Sequence, residues 1–482
     1  MVALDVSHAS RAARLGKPKA EGMRGRVTPQ AVSGRYRRIK WGVVAACLGL
    51  YYALPLLRWD RGPGQPDQAV LLDLAHVRAY LFGLELWPSD VILVTGLLVA
   101  ATLGLVLVNA LAGRLWCGFF CPQTVWTDLF LLIERRIEGD RRERLRKREG
   151  PLTPRRVAEI GAKHALWLLV AAATGGAFAL YFADAPTLLE GLVTGAAPAA
   201  AYGAVGALTL TTYLLAGHAR EQVCTWMCPW PRLQNAIFDP KALSVAYRDA
   251  RGEPRLPAKR ALERRAKGEP AGDCVDCAQC VAVCPIGIDI REGPNFACIN
   301  CGLCVDACDG VMARLSRPKG LIAYAPWEAI EAERAGAPIP RWRLLRPKTL
   351  ALAAAILAIA AAMTATLALR SDLAVTSVHD RNPAAVLLSD GRVRNGYTVT
   401  LANRSLVART VVLSIEGLPG AELSVAGAEA GTRIALEPGA RRALRLVVSA
   451  PAEAALDIAI AATDAARGAT SRTADVFLLP TR

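Results

Sequence analysis

The chain of 482 residues has a formal net charge of +16 and 53% hydrophobic residues. Several apolar runs approach the ~20 residues that cross a bilayer, which excludes a purely soluble enzyme. Lys and Arg are concentrated beside these runs, where they set membrane orientation, so we expect no nucleic-acid partner despite the positive charge.

The chain begins with a polar, basic segment, residues 1–40, which lacks the apolar core and cleavage site of a removable signal peptide. Five apolar segments follow, each of a length suited to crossing a lipid bilayer. They are residues 41–57, 91–111, 165–183, 196–216 and 349–369. We therefore predict a polytopic α-helical membrane protein with about five transmembrane helices: four within residues 41–219 and the fifth within residues 349–370.

The basic residues predict the orientation of these helices. Ten Lys or Arg residues precede the first span and the loop 135–163 is also basic, whereas the loop 184–198 contains neither residue. The positive-inside rule then places the N-terminus, the loop 135–163 and the segment 220–348 in the cytoplasm. Five crossings leave the C-terminus outside. We interpret the run 135–148 as a solvated amphipathic stretch beside the membrane, with anionic lipid contact as a secondary role.

Two cysteine runs in the cytoplasmic segment carry the most specific signal in the sequence. Each has the spacing Cys-x2-Cys-x2-Cys-x3-Cys, and together they predict a bacterial two-cluster ferredoxin-like domain near residues 270–315. Because the last cysteine of each run ligates the opposite cluster in this pattern, we assign one 4Fe-4S cluster to Cys274, Cys277, Cys280 and Cys308. The second cluster is assigned to Cys284, Cys298, Cys301 and Cys304. A pair of zinc sites is disfavoured, since zinc spacing keeps two ligand pairs well apart.

A second cysteine repeat lies just beyond the second and fourth spans. Its members are Cys117-x3-Cys121-Pro122 and Cys224-x3-Cys228-Pro229, and the predicted topology puts both on the cytoplasmic face with the clusters. A thiolate pair can cycle between dithiol and disulfide, or hold Cu(I), so either chemistry could accept electrons from the clusters. The alternative is that these cysteines are small buried residues at helix ends.

Four charged or titratable residues lie near the cysteine pairs or the span ends. Arg114 and Arg220 could stabilise the thiolates. His164 and His218 could ligate haem or copper, but we favour an interfacial placement without a metal for both.

The C-terminal region, residues 371–482, changes to short alternating runs separated by turn dipeptides such as Asp390-Gly391, Asn395-Gly396 and Pro438-Gly439. Several such strands in this region predict an all-β immunoglobulin-like sandwich. That fold by itself implies no chemistry.

Taken together, the motifs resemble the cytochrome c oxidase accessory proteins of the CcoG/FixG type over nearly the full length. The resemblance rests on residues 113–130 around the first cysteine pair, 138–141, 224–232 around the second pair, the cluster runs, and 390–397. It implies a bacterial inner-membrane protein with a periplasmic C-terminal domain that reduces Cu(II) to Cu(I) for assembly of the cbb3-type oxidase. By this resemblance the copper sites are Cys117, Cys121, Cys224 and Cys228.

The leading hypothesis is therefore a cupric reductase in which an unknown cytoplasmic donor reduces the clusters and the clusters reduce copper. A copper chaperone or other oxidase assembly factors would receive Cu(I). One rival is a polyferredoxin that exchanges electrons with quinone or a partner redox protein, because similar Cys-x3-Cys-Pro features occur in respiratory polyferredoxins. A second rival is a non-enzymatic oxidase assembly factor whose clusters only stabilise the fold.

Overall fold

The computed structural model describes residues 27–62, 65–405, 407–426, 433–451 and 456–480. Most of the basic segment 1–40, up to residue 26, lies outside the described residues. The chain divides into two compact units, one made mainly of residues 66–361 with the N-terminal part of the chain, the other mainly of residues 362–482.

Within the described residues, five helices are long and apolar enough to cross a membrane, as the sequence predicts. They are Arg35–Leu56, Val91–Ala112, Pro154–Ala179, Ala199–Ala219 and Pro347–Ala368. The third begins well before the predicted residue 165, because the Thr153 side chain accepts a hydrogen bond from the backbone N–H of Arg156 and Pro154 occupies the first turn. A basic helical turn therefore precedes the apolar part of that span.

The first unit contains fifteen described helices, numbered here in chain order. They are α1 Arg35–Ala53, α2 Val91–Ala112, α3 Leu115–Phe119, α4 Pro122–Glu138, α5 Arg141–Glu149, α6 Pro154–Ala179, α7 Ala185–Thr194, α8 Ala199–Thr212, α9 Trp230–Ala236, α10 Asp249–Gly252, α11 Ala258–Ala266, α12 Gln279–Ala282, α13 Leu303–Arg314, α14 Trp327–Arg334 and α15 Pro347–Ala368, the last of which runs on into the second unit. Two π-helical segments, Tyr213–Ala219 and Val223–Met227, follow α8. The second segment contains Cys224 and ends just before Cys228.

The spans pack around a small aromatic core. Phe130 on α4 stacks on Trp167 of α6 with ring centroids 5.3 Å apart, and both side chains are fully buried. Gly175 allows α6 and α8 to approach, because a Cβ there would lie 2.7 Å from the carbonyl oxygen of Val205. Small residues at such crossings are typical of helix packing in membranes.

A small sheet between the first two spans was not predicted from the sequence. Strands β1 Val70–Asp73, β2 Arg78–Leu81 and β3 Leu84–Leu86 form an antiparallel meander in the order β1-β2-β3. Each strand has three or four residues, too short for an alternating pattern to stand out from a loop.

The buried ion pairs of the first unit correct the expectation that the run 135–148 is solvated throughout. Arg144 on α5 is buried and lies 2.5 Å from the carboxylate of Glu134, which is also buried. Arg220 pairs with the same carboxylate, and Lys163 pairs with Glu138 at 2.6 Å. Removing one partner would leave an uncompensated charge, so these contacts fix α4, α5 and α6 to one another.

An antiparallel pair of strands joins the two ends of the ferredoxin-like domain. Strand β4, Leu243–Tyr247, precedes the cysteine runs and pairs with β5, Ile322–Pro326, which follows them. Buried side chains of both strands, Tyr247 and Ile322, join Val305 and Met312 in the core between the strands and α13. The cysteine runs are thus closed into one compact module.

The ferredoxin-like module is fixed to the first span through Asp306 on α13. One carboxylate oxygen of Asp306 accepts the N–H of Tyr36 at 3.1 Å and the other accepts that of Arg37 at 2.7 Å. These are N–H groups of the first turn of α1, which have no partner within the helix. A residue between two cluster cysteines therefore caps a membrane helix.

The second unit is the predicted immunoglobulin-like sandwich. Its strands are β6 Leu373–His379, β7 Ala385–Leu387, β8 Arg392–Asn403, β9 Arg409–Glu416, β10 Glu422–Val425, β11 Arg433–Leu436, β12 Arg441–Pro451, β13 Leu456–Asp464 and β14 Thr470–Phe477. One sheet has the order β10-β12-β8-β6 with β7 also paired to β8, and the other has the order β11-β9-β13-β14. Tyr397, Leu446, Ile460 and Phe477 from both sheets are fully buried in the shared core.

Candidate functional site

Two cavities in the ferredoxin-like module are lined by the eight cysteines of the two runs. The first cavity is lined by Cys274, Cys277, Cys280 and Cys308. The second is lined by Cys284, Cys298, Cys301 and Cys304, and Cys280 also touches it. Each cavity therefore takes three cysteines from one run and the fourth from the other. This is the grouping that the two-cluster pattern assigns.

The two runs share the same backbone turn. In each run, the residues on either side of the second cysteine adopt left-handed conformations, and a helix begins directly afterwards. These residues are Asp276, Ala278, Asn300 and Gly302, with φ angles of 52°, 52°, 53° and 72°. Turns that alternate right- and left-handed residues gather backbone N–H groups into concave anion-binding surfaces, which suits an anionic thiolate cluster.

The chemistry of the two cavities fits 4Fe-4S clusters. Burial raises the pKa of the thiols of Cys280, Cys284 and Cys308, each to about 12. Iron binding must therefore displace their protons, and the bound metal then compensates the buried thiolates. Among the described residues, no group of three or more His, Cys, Asp or Glu side chains is placed to hold a single metal ion. The cysteines instead line two cavities, with four ligands assigned to each. A 4Fe-4S cluster supplies one-electron transfer when bound.

The four cysteines of the second repeat form one group. Cys117 lies on α3, Cys121 caps α4, and Cys224 lies on the π-helical segment that ends at Cys228. Burial is the main cause that raises the pKa of Cys224 to about 12, and the neighbouring thiols of Cys121, Cys117 and Cys228 contribute to that rise. The two pairs, more than 100 residues apart in the chain, therefore lie close enough to interact electrostatically, and we call the four cysteines the four-thiol site. Within the described residues, their side chains are not gathered around one metal position.

The four-thiol site packs directly on the second cluster cavity. A Cβ on Gly118 would lie 2.5 Å from the carbonyl oxygen of Ile299 and 3.1 Å from the Cα of Cys301. Cys117 belongs to the same apolar cluster as Ile299, Cys301 and Leu303. The first Cys-x3-Cys loop is thus held against the Cys298-x2-Cys301 turn with no side chain between the two backbones at Gly118.

Asn300 ties this junction to the end of the second span. Its amide nitrogen donates to the carbonyl oxygen of Ala112 at 3.3 Å, and its amide oxygen accepts the N–H of Val245 at 3.3 Å. The Cys298 thiol lies 3.7 Å from the same oxygen. One side chain therefore links α2, β4 and the second cysteine run. Sequence reasoning did not identify Asn300, although its place inside a Cys-x2-Cys turn is the signal that could have done so.

Arg114 supplies a positive charge to both sites, whereas Arg220 does not take the predicted role. Arg114 is buried and donates to the carbonyl oxygen of Phe296, two residues before Cys298. Burial raises the pKa of Cys117, and the Arg114 guanidinium opposes that rise. Its charge acts in the same direction on Cys224 and Cys298. Arg220 is instead committed to Glu134 and lies over the ring of Trp167.

The structure also brings the rings of His164 and His218 together, a contact that was not predicted from the sequence. Their rings stack with centroids 5.7 Å apart, and the Tyr213 hydroxyl lies 2.9 Å from Nδ1 of His164. Trp167 closes one side of the group. These residues belong to the ends of two different spans, so their meeting depended on helix packing.

Comparisons with known proteins agree with this architecture. Residues 219–326 match a family described as a 4Fe-4S dicluster domain, and residues 94–139 match one described as a 4Fe-4S binding domain. Residues 363–480 match the immunoglobulin-like fold at the C-terminus of FixG. Fold and site together define a membrane iron–sulfur electron-transfer protein.

Full-length relatives identify the family. The chain is 46% identical to nitrogen fixation protein FixG of Rhizobium meliloti, covering 91% of this chain and 89% of the relative. It is 48% identical to protein RdxA of Cereibacter sphaeroides, covering 88% and 89% respectively. The chain therefore belongs to the FixG family. A crystal structure of a FixG-related protein from Vibrio parahaemolyticus is similar to 23% of this chain and 97% of its own length, at 21% identity and a TM-score of 0.20.

Proposed function

We propose that this protein is a cupric reductase that supplies Cu(I) for assembly of the cbb3-type cytochrome c oxidase. The observation that carries the proposal is the junction at Gly118, where the four-thiol site meets the second cluster cavity. Reduced iron–sulfur clusters donate single electrons, and soft thiolates favour Cu(I) over harder cations. The site therefore combines an electron source with ligands for the product.

The reaction balances as a one-electron transfer. A cluster bound by the eight ferredoxin cysteines would supply one electron, and one Cu(II) held by thiols among Cys117, Cys121, Cys224 and Cys228 would accept it and become Cu(I). No bond to carbon or oxygen is made or broken. Arg114 offsets the negative charge that thiolate ligands bring to this buried place.

The proposed setting is the inner membrane of a bacterium. The N-terminus, the four-thiol site and the clusters would face the cytoplasm, and the immunoglobulin-like domain would face the periplasm. The asymmetry of Lys and Arg between the loops supports this orientation. A cytoplasmic donor would reduce the clusters, and a copper chaperone or another oxidase assembly factor would accept Cu(I).

Anaerobic electron paramagnetic resonance of the cluster-loaded protein tests the reaction. The protein is chemically reduced, freed of excess reductant and mixed with Cu(II). We expect the Cu(II) signal and the reduced-cluster signals to disappear in equal amounts. In one variant Cys117, Cys121, Cys224 and Cys228 are all changed to Ser, and this variant should keep its clusters but no longer reduce Cu(II). The matched control is Cys47→Ser in the first span, which should reduce Cu(II) normally. Reduced clusters that persist beside unchanged Cu(II) in the unmodified protein would refute copper reduction.

A second candidate, electron exchange with quinone, is favoured by the stacked His164 and His218 with Tyr213. Imidazole and phenol groups at a membrane-facing site can hydrogen-bond the two oxygens of a quinone headgroup. Reoxidation of the reduced clusters by a short-chain ubiquinone, lost on His164→Leu, would support this function. The non-enzymatic hypothesis would gain support if the four-serine variant still allowed normal oxidase assembly in cells.

A further inference from the structure

The two cluster sites differ in their access to solvent. Cys277, a ligand of the first cavity, is exposed, whereas the four cysteines of the second cavity are buried or partly buried. The second cavity also carries the contact with the four-thiol site at Gly118. An electron carrier from outside can therefore approach the first cluster, and the second cluster leads inward.

A basic helix, α11, lies beside the first cluster cavity. The backbone N–H of Leu256, just before the helix, donates to the carbonyl oxygen of Cys274 at 3.3 Å. Arg265 on the helix donates to the carbonyl oxygen of Gly272 and to Asp273, at 3.1 Å and 2.9 Å. Ala261 faces inward and is fully buried. These contacts fix the helix next to the first cysteine run.

The outer face of α11 is a stripe of positive charge. Arg260 and Arg264 are exposed one helical turn apart, and Lys267 continues the same line just after the helix. The helix contains four basic side chains and one acidic side chain. Leu262 adds an exposed apolar side chain, 64% accessible. A charged rim with a small apolar contact is suited to brief docking of a redox partner.

Ion pairs offset part of this charge. Arg264 pairs with Glu269 at 2.8 Å, and Arg265 pairs with Asp273 at 2.9 Å. Beside Cys277, Asp276 and Asp289 share one arginine, Arg291, each at 2.6 Å. The net positive charge therefore lies on α11, where Arg260 and Lys267 are exposed, rather than at the cysteine itself.

We propose that α11 and the exposed Cys277 turn form the docking surface for an acidic one-electron carrier protein, so that electrons enter at the cluster of Cys274, Cys277, Cys280 and Cys308. An acidic carrier is drawn to this surface by charge complementarity, which raises the rate of encounter. The carrier loses one electron and the cluster gains it, with no bond made. A lipid surface is the weaker fit, because interfacial helices bury a broad apolar face in the bilayer, whereas the exposed side of α11 offers a single large apolar side chain, Leu262.

The inference concerns electron entry and holds whichever acceptor receives the electrons. Its test is stopped-flow reduction of the full-length, cluster-loaded protein in neutral phosphatidylcholine nanodiscs, with reduced flavodoxin as the acidic carrier. The charge-reversed variant is Arg260→Glu with Lys267→Glu. The matched control, Arg142→Glu with Arg146→Glu, reverses two exposed charges at the surface of α5. The small cationic reductant methyl viologen radical measures cluster reduction without protein docking.

At low ionic strength we expect the α11 variant to be reduced by flavodoxin about tenfold more slowly, within the range of electrostatic steering. The difference should shrink as salt is added, because the charges are exposed. The α5 control should react at the unmodified rate, and methyl viologen should reduce all three proteins without a loss of rate. Equal rates with flavodoxin for the unmodified protein and the α11 variant, or an equal loss in both variants, would overturn the proposal. A loss that appears only in nanodiscs of anionic lipid would assign α11 to the membrane surface and would also overturn it.

Discussion

The contact at Gly118 makes the sharpest prediction for the route between the second cluster and the four-thiol site. Changing Gly118→Ala adds a Cβ that would lie 2.5 Å from the carbonyl oxygen of Ile299, against an ordinary contact of at least 3.4 Å. The two backbones must therefore separate by roughly an ångström or strain locally. Overpacking of this kind costs about 1–3 kcal/mol. We expect both a less stable cluster and slower electron transfer to copper.

The matched control is Gly310→Ala on α13, in the same module. A Cβ at Gly310 meets no atom within 4 Å, and the residue lies in a helix interior. Replacing glycine by alanine there should stabilise the helix by about 0.5–1 kcal/mol. Two substitutions of the same chemistry are thus expected to act in opposite directions.

The assay follows cluster absorbance in two ways, by its loss on heating and by its recovery when Cu(II) is added to reduced protein. Gly118→Ala should lose its clusters at a lower temperature and return electrons to copper more slowly, while its iron content after purification in the cold stays normal. Gly310→Ala should match or exceed the unmodified protein in both. If Gly118→Ala reoxidised with Cu(II) at the unmodified rate, the electron route through this junction would be wrong.

Three further predictions concern ligation and the anchoring of the first span. Changing Cys308→Ser should weaken the cluster of the first cavity and spare the second, seen as the selective loss of one of two paramagnetic signals. Asp306→Ala should destabilise the protein by about 0.5–2 kcal/mol through loss of a helix cap, measured by thermal unfolding. Asp128→Asn should cost about 3–5 kcal/mol, because buried Lys40 and Arg37 lose their counter-charge. Burial raises the pKa of the Asp128 carboxyl, but Lys40 and Arg37 outweigh burial and hold that pKa below its usual value. The stabilisation is therefore complete above the ordinary Asp pKa of about 3.9 and lost as the pH falls below it.

Each of these predictions has a contrary outcome. Equal damage to both clusters in Cys308→Ser would contradict crossed ligation. An unchanged unfolding temperature in Asp306→Ala would show that the cap contributes nothing measurable. If Asp128→Asn and the unmodified protein lost stability equally on acidification, the pH dependence would belong to other carboxylates.

The sequence by itself determined the features that depend on local spacing. In a run of about 20 apolar residues inside a bilayer, the backbone N–H and C=O groups must hydrogen-bond to one another, which a helix achieves. The five spans could therefore be predicted from composition alone. Cysteines at intervals of two and three residues place thiols around one turn of chain, so the cluster runs and their crossed grouping could be predicted from the pattern. Alternating residues and turn dipeptides likewise predicted the C-terminal sandwich.

Tertiary structure decided what depends on contacts between distant segments. The two cysteine pairs are far apart in the chain, and packing of α3, α4 and the π-helical segment brings Cys117 and Cys224 close enough to interact electrostatically. Arg220 lies close to Cys224 in the sequence, which suggested a contact with the thiols. In the fold its guanidinium pairs with the buried carboxylate of Glu134 instead, because a buried cation needs a counter-charge. The contact of Gly118 with Ile299 joins residues far apart in the chain and leaves no periodic signal. It arises only when the membrane helices and the ferredoxin-like module pack together.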